Sequence, residues 1–292
     1  MRVLHTISEM RSACRDRFRA GGPPARLGFV PTMGALHEGH RSLIRAAKQR
    51  SERVAASIFV NPLQFGPQED FARYPRSFAE DCTLLEQEGV DLLFAPAVEE
   101  MYPHGNAGTF VDVPDTSERL DGRSRGGHFR GVATVVAKLL NVIAPDEAFF
   151  GQKDAAQVAV LRALVRDLNF DCDLVICPIV REEDGLALSS RNRYLSEQER
   201  LQAVALYRSL QSVEDAVSAG ESDAATLQQN LLHRLRTANG LNLEYAEIVD
   251  PDSLKPVSNV NCGALVAVAA WVGRTRLIDN ILLPPSSSRE SK

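Results

Sequence analysis

Five short segments of this chain hold residue types suited to phosphate, hydroxyl and carboxylate groups. The first reads Pro31-Thr32-Met33-Gly34-Ala35-Leu36-His37-Glu38-Gly39-His40. It runs from an apolar stretch through two glycines into a helix-period stretch. A helix start attracts anions, because its exposed N–H groups and the positive end of its dipole face the ligand. Gly34 and Gly39 allow a nucleotide to approach the backbone closely, and His37 and His40 add hydrogen-bonding nitrogens. On spacing alone, two histidines three apart also read as structural residues or as half of a metal site.

The other four segments sit at similar junctions. Asn61-Pro62-Leu63-Gln64-Phe65 follows an apolar run, so the Gln64 carboxamide is placed to grip a hydroxyl or carboxylate; a lone glutamine equally reads as a solvated loop residue. In Phe150-Gly151-Gln152-Lys153-Asp154-Ala155-Ala156-Gln157, Lys153 suits a phosphate, Asp154 a ribose hydroxyl and Gln157 a polar substrate. The plainer reading makes Asp154 a helix cap and Lys153 a solvated charge. Leu188-Ser189-Ser190-Arg191-Asn192 offers hydroxyls and a guanidinium able to clamp a triphosphate. Arg123-Ser124-Arg125-Gly126-Gly127-His128-Phe129-Arg130-Gly131 is basic and glycine-rich before a helix, and reads equally as an anion site or as a mobile loop.

These segments need a scaffold that brings loop ends together. Apolar, β-branched runs at 26–31, 54–60, 90–94, 147–151 and 173–178 predict strands, and helix-period stretches at 40–50, 78–88, 132–144 and 154–168 alternate with them. That alternation predicts an α/β fold with a Rossmann-like, doubly wound parallel sheet, whose ligands bind beyond the carboxyl ends of the strands. After residue 178 the pattern changes to helices at 196–219 and 223–238 and three short strands at 243–249, 264–271 and 275–282, the last two as an antiparallel hairpin. The expected organisation is a Rossmann-like domain over 1–180, a smaller C-terminal α+β lid domain over 181–283, and a disordered Pro- and Ser-rich tail over 284–292.

The 292 residues are 44% hydrophobic, enough for a large core, and the formal net charge of −5 argues against a mainly electrostatic nucleic-acid binder. The apolar run at 264–272 is far short of the roughly 20 residues that cross a bilayer, and 1–18 is broken by charges rather than built as a signal peptide. The expectation is a cytoplasmic protein with neither nucleic-acid nor membrane partners. Five cysteines without a CxxC pair read as buried thiols, not a disulfide or zinc framework.

Taken together, the order and spacing of residues 31–40, 61–65, 128–132, 151–157 and 188–192 resemble the pantothenate synthetase (pantoate–β-alanine ligase) family along almost the whole chain. His37-Glu38-Gly39-His40 looks like the HxGH signature of the nucleotidylyltransferase superfamily. The resemblance implies that pantoate attacks the α-phosphorus of Mg-ATP to form pantoyl adenylate and pyrophosphate, after which β-alanine displaces AMP. It implies ATP contacts from Met33, Gly34, Ala35, Leu36, His37, Glu38, Gly39 and His40, from Gly151, Gln152, Lys153 and Asp154, from Val180, and from Leu188, Ser189, Ser190 and Arg191. His40 would be the proton donor, with His37, Lys153 and Arg191 completing the catalytic set. Gln64 and Gln157 would hold pantoate, Asp81 would contact magnesium, and the protein would be a homodimer.

Two positions depart from the family pattern: Ala155-Ala156 replaces an aromatic–Gln pair, and Gly126 stands where proline is expected. Small alanines widen a pocket or alter helix packing, and glycine loosens its loop. The competing readings are a metal-dependent hydrolase using His37 and His40, which needs a third ligand and an open water position, and a non-catalytic nucleotide-binding sensor, which leaves the two glutamines without a role.

Overall fold

The computed structural model describes residues 1–18, 25–66, 71–105 and 108–288. In chain order the strands and helices begin with β1 (Arg2–Leu4), α1 (Ile7–Arg15), β2 (Leu27–Thr32), α2 (Glu38–Arg50), β3 (Arg53–Ile58), α3 (Phe78–Gln87) and β4 (Leu92–Phe94). Short helices α4 (Val98–Met101), α5 (Pro114–Ser117) and α6 (Asp121–Ser124) precede α7 (His128–Ile143), β5 (Glu147–Gly151), α8 (Ala155–Asp167) and β6 (Asp173–Cys177). The remainder forms α9 (Glu197–Ser218), α10 (Ala224–Thr237), β7 (Leu241–Val249), β8 (Ala264–Val272) and β9 (Thr275–Leu283).

The chain divides into two compact units, one of Met1–Ser117, Arg125–Gly151 and Val160–Cys177, the other of Glu118–Ser124, Gln152–Ala159 and Pro178–Lys292. The sequence pattern predicts a single boundary near residue 180; the packing instead assigns two short upstream segments to the second unit. In the first unit six parallel strands run in the order β1-β4-β3-β2-β5-β6. Strand order reverses between β2 and β5, the switch point at which doubly wound sheets leave a crevice. The loops at Met33 and at Gly151 leave the ends of these two strands. The core of this sheet is built from Val30, Ile44, Val54, Leu93 and Phe149 with their neighbours, which explains why the strands read as unbroken apolar runs rather than alternating ones.

The second unit carries the antiparallel sheet β7-β8-β9, with Leu206, Leu210, Leu227 and Leu231 in one core with Val266 and Val268. Helix α9 starts at a capping box of Ser196 and Glu199. β8 and β9 form the expected hairpin, Val272 opposite Thr275, closed by the two residues Gly273 and Arg274.

Three features lay outside the sequence reading. β1 is three residues long with only Leu4 buried, too little for a pattern. α1 announces itself only by the capping box of Thr6 and Glu9. α7 begins at His128, four residues before the expected start, because Gly127 takes a left-handed conformation (φ +80°) as its N-cap. Of the tail expected to be disordered, the described part holds a short turn at Ser286–Ser288, with the Ser286 N–H on the Asn261 carbonyl at 2.9 Å; residues 289–292 lie outside the described residues. No helix among the described residues is long and apolar enough to cross a membrane.

Candidate active site

In the first unit, the loop after β2 is fixed mainly by its own groups. His37 is the N-cap of α2: its Nδ1 accepts the Gly39 N–H at 3.1 Å, while Nδ1 of His40 accepts the His37 N–H at 3.3 Å. A neutral imidazole whose Nδ1 accepts carries its proton on Nε2, so each ring is a donor through Nε2. The two rings lie 4.2 Å apart, centroid to centroid. The glycine between them is required sterically, since a Cβ on Gly39 would come within 2.9 Å of the His37 ring.

Gly34 and Ala35 both have positive φ, +83° and +51°. This turns the N–H groups of Ala35 and Leu36 toward a single point, a small backbone nest of the kind that binds anions. Its anion is internal. Asp81, 3% exposed, accepts the Ala35 N–H at 2.9 Å and the Leu36 N–H at 2.8 Å through separate oxygens, and the Ser77 hydroxyl at 3.3 Å. Asp81, expected as a magnesium contact, therefore has both oxygens committed to the loop, and among the described residues no group of three or more His, Cys, Asp or Glu side chains is placed to hold a metal ion.

Gln64 is 9% exposed and held on all sides. Asn61 caps the turn Pro62–Gln64 by accepting the Leu63 N–H, and its Nδ2 donates both to Gln64 Oε1 and to the Gly131 carbonyl at 3.1 Å. The Tyr102 hydroxyl donates to Asn61 Oδ1 at 2.9 Å. Burial pushes the Tyr102 phenol far above its ordinary value, so it remains a donor at any working pH. Gln64 Nε2 approaches the Met33 sulfur at 3.0 Å. Beneath this, the Gln64 carbonyl meets Nδ1 of His128 at 2.7 Å, and Nε2 of that ring meets the Arg125 guanidinium at 2.9 Å. Arginine can only donate, so Nε2 accepts and Nδ1 is the protonated nitrogen. Gly131 brings α7 against this turn: a Cβ there would lie 2.3 Å from the Leu63 carbonyl oxygen. The glycine-rich segment is thus largely structural, and Arg123 is paired with Glu247 in the second unit.

In the second unit, Lys153, Ser189, Arg191, Asn192 and Arg276 line one small cavity. Ser189 Oγ caps the turn Ser190–Tyr194 by accepting the Arg191 N–H at 3.2 Å. The Leu188 N–H bonds the Val180 carbonyl at 2.9 Å, tying together two expected nucleotide contacts. Asp154 is exposed and Gln157 half-buried in the first turn of α8, where Ala155 and Ala156 are buried. At Gly126 a Cβ would meet nothing within 4 Å, so the departure there relieves no crowding. A larger cavity of about 580 Å³ between α9 and α10 contains none of the expected residues.

A family model described as pantoate–β-alanine ligase matches residues 2–282. The chain belongs to the pantoate–β-alanine ligase family. It is 57% identical to the pantothenate synthetase of Koribacter versatilis over 97% of this chain and 96% of that one, and 52% identical to that of Thermotoga neapolitana over 97% and 100%. The solved pantothenate synthetase of Thermus thermophilus superposes with a TM-score of 0.89 at 46% identity, over 98% of this chain and all of that one. A pantoate–β-alanine ligase from Francisella tularensis, described as complexed with β-γ ATP and β-alanine, superposes with a TM-score of 0.77 at 33% identity over 97% of each chain.

Family membership and geometry together disfavour the hydrolase reading: the Nδ1 atoms of both histidines close the helix cap, and among the described residues no third metal ligand joins them. Three buried residues that hold these loops are not legible as such in the sequence. Asn61 reads only as part of its segment, and Asp279 and Asn280 sit inside the apolar run 277–283 of β9. Their signal was a polar pair in the run Leu277-Ile278-Asp279-Asn280-Ile281-Leu282, where burial demands partners.

Proposed function

We propose that this ligase condenses pantoate with β-alanine through pantoyl adenylate, consuming ATP and releasing AMP and pyrophosphate. The observation that carries this reading is the whole-length likeness to the Francisella tularensis ligase, which is described with an ATP analogue and β-alanine. A pantoate carboxylate oxygen forms a bond to the α-phosphorus as the bond to pyrophosphate breaks. The β-alanine amine then attacks the acyl carbon, AMP leaves, and the amine's surplus proton passes to solvent. A carboxylate is already ionised at neutral pH, so the first step needs alignment and charge neutralisation rather than a strong base.

We assign ATP contacts to Met33 through His40, to Gly151 through Asp154, to Val180 and to Leu188 through Arg191. His40 and His37 act as imidazole donors, His40 being the proton donor, and Lys153 and Arg191 offset polyphosphate charge. Gln64 and Gln157 bind pantoate. The anchoring of Gln64 Oε1 by Asn61 supports the first of these, because it leaves the amide oriented rather than rotating. Magnesium would arrive bound to the polyphosphate. All five cysteines are free thiols, in keeping with a reducing cytoplasm. A homodimer is proposed on family likeness alone, and sedimentation equilibrium tests it.

The activity test is product analysis. AMP and pyrophosphate should form only with pantoate present, and pantothenate only when β-alanine is added. ATP consumed to ADP, or without pantoate, contradicts the reading. His40→Ala and His37→Ala should each lower adenylate formation roughly 10²- to 10³-fold without loss of fold.

A further inference from the structure

Two adjacent residues of β9, Asp279 in the wall of the Lys153 cavity and Asn280 behind it, hold both loops that line that cavity. Asn280 is 2% exposed and its carboxamide is fully engaged: Nδ2 donates to the Gln152 and Lys153 carbonyls, each at 3.0 Å, and Oδ1 accepts from Gln152 Nε2 at 3.0 Å. Asp279, also 2% exposed, takes the Arg181 guanidinium on both oxygens at 2.7 and 2.9 Å. Arg181 in turn donates to the Gly185 carbonyl at 3.1 Å, stacks 4.0 Å over the Tyr207 ring, and sits in the bridge that pairs it with Ala187. This closes the loop from Val180 to Leu188. Gly185 is needed where Tyr207 packs, since a Cβ there would lie 2.1 Å from the ring.

Neighbouring strand residues face opposite ways, so one step along a rigid strand can reach two separate loops. β9 is paired with β8 along its whole length, Val268 opposite Asp279 and Ala267 opposite Asn280. Burying a carboxylate and a carboxamide in the apolar run 277–283 destabilises the fold unless each polar atom is matched. Here the matching atoms belong to the backbone that carries Lys153 and to the arginine that shapes the loop before Ser189. A core need alone would be met by two aliphatic side chains.

We propose that Asp279 and Asn280 are positioning residues for the polyphosphate end of ATP, Asn280 fixing the backbone under Lys153 and Asp279 fixing the Val180–Leu188 loop through Arg181. The proposal rests on the ligase reading above. Its chemical signature follows from which half-reaction contains pyrophosphate. Lys153 and Ser189–Arg191 matter while the β- and γ-phosphates are bound; the adenylate has lost them.

The test compares the two half-reactions in Asn280→Ala and Asp279→Asn. In pantoate-dependent exchange of labelled pyrophosphate into ATP, each variant should raise the KM for ATP, lowering kcat/KM for ATP roughly 10- to 100-fold, with the KM for pantoate within about twofold of wild type. Conversion of chemically prepared pantoyl adenylate by β-alanine should proceed at the wild-type rate. Asn280→Ser, which keeps a donor on a shorter side chain, should fall between Asn280→Ala and wild type. An unchanged KM for ATP, or equal losses in both half-reactions, overturns the proposal. So does failure of Asn280→Ala and Asn280→Ser alike to fold, which would make the residue a determinant of the fold only. Wild-type protein lacking exchange would instead overturn the ligase reading, and that measurement comes first.

Discussion

Removing the Asp81 carboxylate should damage the loop that it holds. In Asp81→Ala, the N–H groups of Ala35 and Leu36 lose their acceptors inside a buried nest. A hydrogen bond to a charged acceptor contributes about 1.5–3 kcal/mol net, and two buried donors left unmatched place the loss near 3 kcal/mol or more. Part of that loss can be relieved only if Gly34 and Ala35 abandon their positive φ, which moves Leu36 and the His37 cap with them. A displacement of about 1 Å costs on the order of 10²-fold in rate. Asp81→Asn is the sharper variant, since it keeps the volume but turns an NH2 toward one of the two N–H groups. Urea unfolding gives the stability change, and pantoate-dependent pyrophosphate exchange gives the activity, titrated with magnesium at each ATP concentration. Both should fall, with the magnesium dependence of the residual activity unchanged. Wild-type stability together with a raised magnesium requirement would refute the argument and return Asp81 to the role of a metal contact.

Three further outcomes follow. Gly131→Ala places a Cβ 2.3 Å from the Leu63 carbonyl oxygen; it should destabilise by about 1–3 kcal/mol and raise the KM for pantoate more than that for ATP, since the displaced turn carries Gln64. Burial pushes the Cys14 thiol up to about 11 and Cys172 up to about 12, while Cys262 is exposed. One thiol should therefore react rapidly with a disulfide reagent at pH 8, lost in Cys262→Ser, and fast labelling of Cys14 in native protein would contradict this. The hydrogen bond from Arg276, with smaller contributions from the Ser124 hydroxyl and then the charge of that arginine, holds the Glu244 carboxyl below its ordinary value despite the opposing effect of burial. A depressed folded value gives stability that is present above the ordinary carboxylate range and lost as pH falls through the folded value. Glu244→Gln should thus cost more at pH 7 than at pH 3.5 in urea unfolding, and an equal cost at both would exclude the ion pair as its source.

The sequence reveals elements wherever an element has its own pattern. The run ending at Gly151 is bounded by turn residues and buried from Glu147 to Phe150, so β5 begins and ends where its pattern does. β1 has three residues, two of them exposed, and exists because β4 offers it a partner. The site divides along the same line. His37, Gln64, Lys153 and Arg191 are legible by residue type at strand ends and loop starts. What holds them is not, because each holder is remote in sequence: Asp81 lies 46 residues from Ala35, and Asn280 lies 127 from Lys153. A carboxylate in a list of residues reads as a ligand for a cation; only the fold shows that its partners are two backbone N–H groups. The segment from Arg123 to Gly131 shows the converse. Its charges and glycines suggest an anion site, yet Gly131 serves close packing and Arg123 an ion pair with Glu247.

In the proposed first step the new bond joins a pantoate carboxylate oxygen to the α-phosphorus of ATP. Pantoate labelled with oxygen-18 in its carboxylate tests it directly, by mass spectrometry of the nucleotide after a complete turnover with β-alanine. One labelled oxygen in AMP, with none in pyrophosphate, is the predicted result. Unlabelled AMP would contradict the acyl-adenylate route, and label in inorganic phosphate accompanied by ADP would place the attack at the γ-phosphorus instead.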